Sequence, residues 1–157
     1  MTATAAMAPS AEIRETVQEF CRRMLAGEAD EANDLISRDP ALVFIGSAGE
    51  WVDDQDKLRA GTQEAGEGLI AGHSPVAYAD GDMGFFADQP TWLFADGTKA
   101  EMRLTAVLRR EAPGWRVINV HMSVAVGAEP GDPPAADAGG AGATASASTS
   151  AVTAEEA

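Results

Sequence analysis

Apolar residues recur at spacings of three and four near the start of the chain. Ile13, Val17, Phe20, Cys21, Met24 and Leu25 make one stripe, which predicts an amphipathic helix over residues 10–26. Glu12, Glu15 and Glu19 sit toward its N-terminal half and Arg22 and Arg23 toward its C-terminus, the order that the helix dipole favours. Gly27 supplies the stop. A short second helix is expected next, with Asp30 as N-cap and Ala32, Leu35 and Ile36 turned inward. Asp39-Pro40 ends it, because the proline ring disfavours helix at the residue before it.

Ala41 to Ile45 is an apolar run of strand length, closed by Gly46-Ser47-Ala48-Gly49. A third helix, capped by Asp53 or Asp54, runs through Lys57, Leu58 and Ala60, and is weakened by Gly61, Gly66 and Gly68. From Val76 onward the pattern becomes strand-like: Val76–Ala79, Met83–Ala87, Thr91–Ala95, Thr98–Arg110 and Trp115–Val126. Asp80-Gly81, Gln89-Pro90, Asp96-Gly97 and Pro113-Gly114 separate these runs, and Asp-Gly between apolar runs is a hairpin signal. Helices followed by a strand meander predict an α+β domain, with one curved antiparallel sheet wrapped over the N-terminal helices.

Composition limits where that domain can lie. From Gly127 to Ala157 there is no aromatic residue and no Lys or Arg, and Val152 is the single branched aliphatic. Such a segment cannot bury enough apolar surface to offset its ordering entropy, so residues 127–157 are expected to be a disordered acidic Ala/Gly/Ser/Pro-rich tail. Residues 1–9 are expected to be a disordered N-terminus, leaving a domain over 10–126. The chain has 25 acidic against 11 basic residues, a net charge of −14, and both the tail and the domain are acidic. No positive footprint for nucleic acid or for an anionic membrane is visible.

Cys21, the single cysteine, excludes an internal disulfide and is expected to be a small buried hydrophobe. The N-terminus has neither the basic nor the apolar region of a secretory signal, and no apolar run approaches bilayer length, so a cytoplasmic protein is expected. His73 and His121 lie too far apart for metal-site spacing, and no metal or cofactor is expected.

The last two strands carry the candidate chemistry. In Thr98–Arg110, Ala100, Met102, Leu104, Ala106 and Leu108 point one way, while Glu101, Arg103, Thr105, Val107 and Arg109 point the other. Strict alternation in the final strand puts Trp115, Val117, Asn119, His121 and Ser123 on one face. Opposite them stand Arg116, Ile118, Val120, Met122 and Val124. A loop of three residues, Ala112 to Gly114, pairs Thr105 with His121 and Arg103 with Ser123; a loop one residue longer sets Leu104 against His121. Both registers are open at this level.

The order of these segments resembles the SnoaL-like branch of the NTF2-like superfamily over residues 10–126. The resemblance rests on the long first helix and on the acidic second helix leading to Asp39-Pro40-Ala41-Leu42-Val43-Phe44-Ile45-Gly46. It continues through Gly81-Asp82-Met83-Gly84, Ala87-Asp88-Gln89-Pro90-Thr91-Trp92 and Met102–Arg110, and through Trp115-Arg116-Val117-Ile118 closing on Val120-His121-Met122-Ser123. That ending is also similar to the calmodulin-dependent kinase association domain of the same superfamily. The resemblance implies a cone-shaped half-barrel with a pocket between sheet and helices, commonly dimeric through the outer sheet face. Members include isomerases, polyketide cyclases, epoxide hydrolases and non-catalytic binding or assembly modules, so fold alone does not select among them.

Ketosteroid isomerases of the superfamily place an aspartate base where this chain has Ile45, which cannot abstract a proton. Glu101 is the one acid inside the apolar strand runs, and Arg103 is the one candidate for part of an Asp–Arg–Asp set of the epoxide-hydrolase kind. The expected function is therefore small-molecule binding by a homodimer. The alternatives are an isomerase, cyclase or hydrolase acting on a small hydrophobic substrate, or an oligomerisation module. Arg103, as a cation for a ligand oxygen, and His121, as a donor or acid/base, are the expected polar groups of the pocket. Thr105 shares the Arg103 face, and Trp92, Trp51 and Tyr78 are the candidate aromatic lining.

Overall fold

Ser10 starts the first helix, its hydroxyl accepting the Ile13 N–H at 3.2 Å. In the computed structural model, which describes residues 6–61 and 67–124, α1 spans Ala11–Leu25 and turns Ile13, Val17 and Cys21 into the core. The helices α2 (Ala29–Asn33) and α3 (Gln55–Gly61) follow. The strands are β1 (Ala8–Pro9), β2 (Val43–Ile45), β3 (Trp51–Val52), β4 (Gly68–Ile70), β5 (Val76–Asp80), β6 (Met83–Asp88), β7 (Thr91–Leu93), β8 (Lys99–Glu111) and β9 (Gly114–Val124). The expected tail over 127–157 lies outside the described residues, as do residues 1–5. Ala8 and Pro9, expected to precede the domain, instead pair with Ala79 and Tyr78 of β5.

The α+β class holds, but the expected sheet is corrected. Its order is β1-β5-β6-β8-β9-β2-β3, an open path whose two ends are not paired, so it is not a cone-shaped half-barrel. It is also mixed, not antiparallel throughout, because β2 runs parallel to β9. Hairpin turns dictate direction from Val76 onward. The strand at 43–45 reaches β9 without a hairpin between them, so no turn signal fixes its sense. β4 pairs with β7, which pairs with the first part of β8, as a side branch.

Asp-Gly does turn the chain twice, with φ of 57° at Gly81 and 84° at Gly97, the left-handed values that a residue without Cβ adopts freely. Gly84 serves closeness instead. A Cβ there would run into the Ile13 side chain and the Tyr78 carbonyl, so α1 seats directly on β6 at this point.

The β8–β9 hairpin closes through Ala112 and Pro113, with Glu111 opposite Gly114. Leu108 pairs with Val117 but Val107 pairs with Asn119, leaving Ile118 as the extra residue of a β-bulge. A two-residue turn plus this bulge gives the Thr105–His121 and Arg103–Ser123 pairs, the same pairing that a three-residue loop predicts. The bulge also overturns strict alternation. Trp115 and Val117 before it share the core face with Val120 and Met122 after it, and Asn119, His121 and Ser123 occupy the opposite face. At the same place β9 changes neighbours: Val117 exchanges backbone hydrogen bonds with Leu35 and Ser37, and from Asn119 it pairs with β2.

Arg109 fastens the segment before β2, bridging Asp39 and Glu111 at 2.8 Å each, while the Ser37 hydroxyl donates to Glu111 at 2.6 Å. That hydroxyl holds the Glu111 carboxyl below its ordinary range. The Ala41 N–H, then Arg109, does the same for Asp39. No helix among the described residues is long and apolar enough to cross a membrane.

Candidate functional site

A cavity of about 460 Å³ lies between α1 and the inner sheet face. The helical spacing of Val17, Phe20, Cys21 and Met24 lays one wall along α1. The period-two pattern of Met102, Leu104 and Ala106 on β8, with Val117, Val120 and Met122 on β9, builds the facing wall. Phe44 closes it on the β2 side, and Leu69, Trp92 and Phe94 on the β4–β7 side. The charged lining residues are Glu50 and Lys57, both exposed, and Glu67, half-buried; they stand at the mouth.

These walls bind apolar matter and offer little to proton transfer. Burial, and secondarily the charge of Asp88, pushes the Cys21 thiol up to about 12, so at neutral pH it is a protonated hydrophobe, not a nucleophile. Asp88 is a buried acid outside the apolar strand runs, and the strand reading, which ends at Ala87, passes over it. β6 continues one residue further and buries Asp88, whose carboxylate accepts the N–H groups of Gly72 and Gln89 at 2.8 Å each. One oxygen thereby holds the 71–75 segment through Gly72 and the other takes the N–H of the next residue, Gln89, and Asp88 does not line the cavity.

Of the expected site residues, Trp92 alone lines the cavity. Arg103, Thr105 and His121 lie on the outer sheet face, exposed, because β8 parity and the Ile118 bulge turn them away from α1. Arg103 has no ion-pair partner among the described residues. Trp51, 65% exposed, pairs with Ile45 at the β3 edge. Tyr78 is half-buried and stacks on Phe85 with ring centroids 5.7 Å apart. The expectation of a polar cavity built on Arg103 and His121 is thus replaced by an apolar one.

The outer face has an order of its own. Trp51, Ile45, His121, Thr105, Ala87 and Val76 form one row straight across six strands, and Val43, Asn119, Val107, Phe85, Tyr78 and Pro9 form the next. Phe85 and Val76 are 38% and 44% exposed. Among the described residues no three His, Cys, Asp or Glu side chains gather as a metal site.

Solved structures share this fold at low identity. An NTF2-like protein of unknown function from Pseudomonas putida has TM-score 0.63 at 16% identity, over 75% of this chain and 89% of that one. An NTF2-like protein with a cystatin-like fold from Novosphingobium aromaticivorans has 0.62 at 16%, over 74% and 82%. The CaMKII hub homology domain of Chlamydomonas reinhardtii has 0.59 at 16%, over 73% and 97%. No curated protein matches this chain. The model of the SnoaL-like domain matches residues 13–127, most of the chain, and with the architecture above it makes this protein a member of the SnoaL-like domain family within the NTF2-like superfamily.

Proposed function

We propose that this protein binds a small hydrophobic molecule in the cavity between α1 and the sheet, without performing chemistry on it. One observation carries the reading: a cavity of about 460 Å³, within the usual range of ligand sites, whose walls are apolar and whose charged groups stand at the mouth. An isomerase, cyclase or hydrolase needs an acid or base against the bound substrate. Among the described lining residues the acids and bases, Glu50, Lys57 and Glu67, stand at the mouth, and the walls behind them offer the protonated Cys21 thiol. A thermal-shift screen with apolar metabolites tests the reading, since a ligand that binds only the native state raises its melting temperature. Ala100→Phe, which adds a ring to the lining opposite Trp92, should abolish the shift while the domain still melts cooperatively. A panel of varied lipophiles producing no shift overturns it.

The outer face supports a second, compatible reading, in which two copies associate as a homodimer through the rows that include Val76, Tyr78, Phe85 and Val107. Exposed Val76 and Phe85 and half-buried Tyr78 and Val107, in register across β5, β6 and β8, are the supporting feature. Similarity to a kinase hub homology domain fits an assembly role for this face. Phe85→Arg should convert a dimer to a monomer in analytical ultracentrifugation. A wild-type chain that sediments as a monomer at high concentration removes this reading.

A further inference from the structure

The geometry points to a lipophilic amine as the cavity's ligand, its apolar body inside and its ammonium at the rim beside Glu67, Trp92 and Phe94; this rests on the cavity being a binding site. β4 and β7 pair Leu69 with Trp92 and Gly68 with Leu93, and continuing that register sets Glu67 across from Phe94. Residues across from each other share a face, and Glu67, Leu69, Trp92 and Phe94 all line the cavity. One Glu67 oxygen accepts the Ala95 N–H at 3.4 Å, which anchors the carboxylate beside Phe94. The Trp92 and Phe94 rings meet edge to face, with centroids 6.3 Å apart.

A cation at this rim meets a carboxylate and aromatic rings together, two attractions that an alcohol lacks and a carboxylate reverses. Among the described residues at the mouth Lys57 is balanced in sign by Glu50, and Glu67 adds a negative charge. The chain's net charge of −14 also favours approach of a cation over an anion. Inside, the walls reward an apolar body and nothing else.

Titration of the full-length protein with decyltrimethylammonium, decanol and decanoate at low ionic strength tests this. The ammonium should bind about tenfold tighter than the alcohol, with the carboxylate weakest, the gain expected from an exposed ion pair plus a cation–π contact. Added salt should narrow the gap. Glu67→Gln keeps an oxygen for the Ala95 N–H and should bring the ammonium down to the alcohol's level while decanol binding stays unchanged. Ala100→Phe should remove the preference, and ammonium binding that survives it would be surface adsorption and would overturn the proposal. So would an alcohol that binds as well as the ammonium, a carboxylate that binds best, as a head group held by Lys57 would, or a preference unaffected by Glu67→Gln. Decanol binding without an ammonium preference sinks the amine alone; failure of all three ligands sinks the cavity reading with it.

Discussion

The two faces of β8 and β9 come from alternate residues of the same segments, yet they differ in kind. The inner face is a run of Met, Leu, Ala, Trp and Val packed on α1, with Leu108 and Ala106 fully enclosed. The outer face mixes Arg103, Thr105, Val107, His121 and Asn119, mostly within reach of water. Their separation depends on one residue standing outside the ladder. Were Ile118 an ordinary paired residue, Asn119 and His121 would join Trp115 on the inner face, as unbroken period-two alternation predicts. With Ile118 bulged, Val120 and Met122 take those places and the cavity is apolar.

Deleting Ile118 should have the largest effect of the changes considered. It restores unbroken alternation with Asn119, His121 and Ser123 still outward, but it removes a buried side chain and the bend at which β9 passes from residues 35–37 to β2. Ile118→Ala keeps the bulge and should cost about 2–5 kcal/mol, the range for truncating a buried isoleucine. The deletion should cost more than that substitution in urea denaturation. A deletion no worse than Ile118→Ala would mean that the bend contributes nothing to the change of neighbours.

Adjacent phenylalanines sharpen the comparison on β6. Phe86 is 1% exposed on the inner face, and Phe85 is 38% exposed on the outer. Phe86→Ala should cost about 3–5 kcal/mol in urea denaturation, whereas Phe85→Ala should cost under about 1 kcal/mol. Equal costs would show the outer face to be as fully packed as the core, as it would be within a tight dimer.

How much of this is legible in the chain follows from the range of the signals. α1 is read almost to the residue, because its stripe, its Ser10 cap and Gly27 are all local. The Asp80-Gly81 and Asp96-Gly97 turns are legible for the same reason. β3 and β4 escape notice because two or three residues carry no periodicity, and each exists by pairing with a partner distant in sequence. The direction of β2 escapes likewise. The site escapes for a related cause: of the two registers open in the sequence, the structure has the one that pairs Thr105 with His121 and Arg103 with Ser123, but which way these pairs face depends on α1 and on a bulge with no marker such as glycine. Asp88 escapes because its burial comes with the Gly72 N–H that it accepts, not from any motif around it.

The polar cluster behind the bulge should respond to acid. Glu111 is held below its ordinary value of 4.5 and Asp39 below 3.8, each because its charged form is hydrogen-bonded in the native state. With folded values depressed, their contribution to stability is fully present above those ordinary values. It fades as pH falls through the lower native ones. Glu111→Gln should flatten the acid limb of the stability curve and leave the neutral plateau without slope. Ser37→Ala removes the hydroxyl shared by Glu111 and the Asp39 N–H and should cost about 1–2 kcal/mol at neutral pH. An unchanged acid limb in Glu111→Gln would show that the cluster contributes nothing to joining residues 37–39 to β8.

The smallest effect is expected where the sequence pointed first. Arg103→Ala and His121→Ala should each leave the urea midpoint and the affinity for a cavity ligand within experimental error of wild type. Both side chains are exposed, neither lines the cavity, and the β8–β9 ladder that separates them from it is made by backbone groups that the substitutions leave in place. If the outer face joins two copies, the same variants would alter sedimentation while intrinsic ligand affinity holds. A ligand affinity that falls with either substitution, in a chain that still melts and sediments as wild type, would place a binding site on the outer face and reverse the roles assigned to the two surfaces.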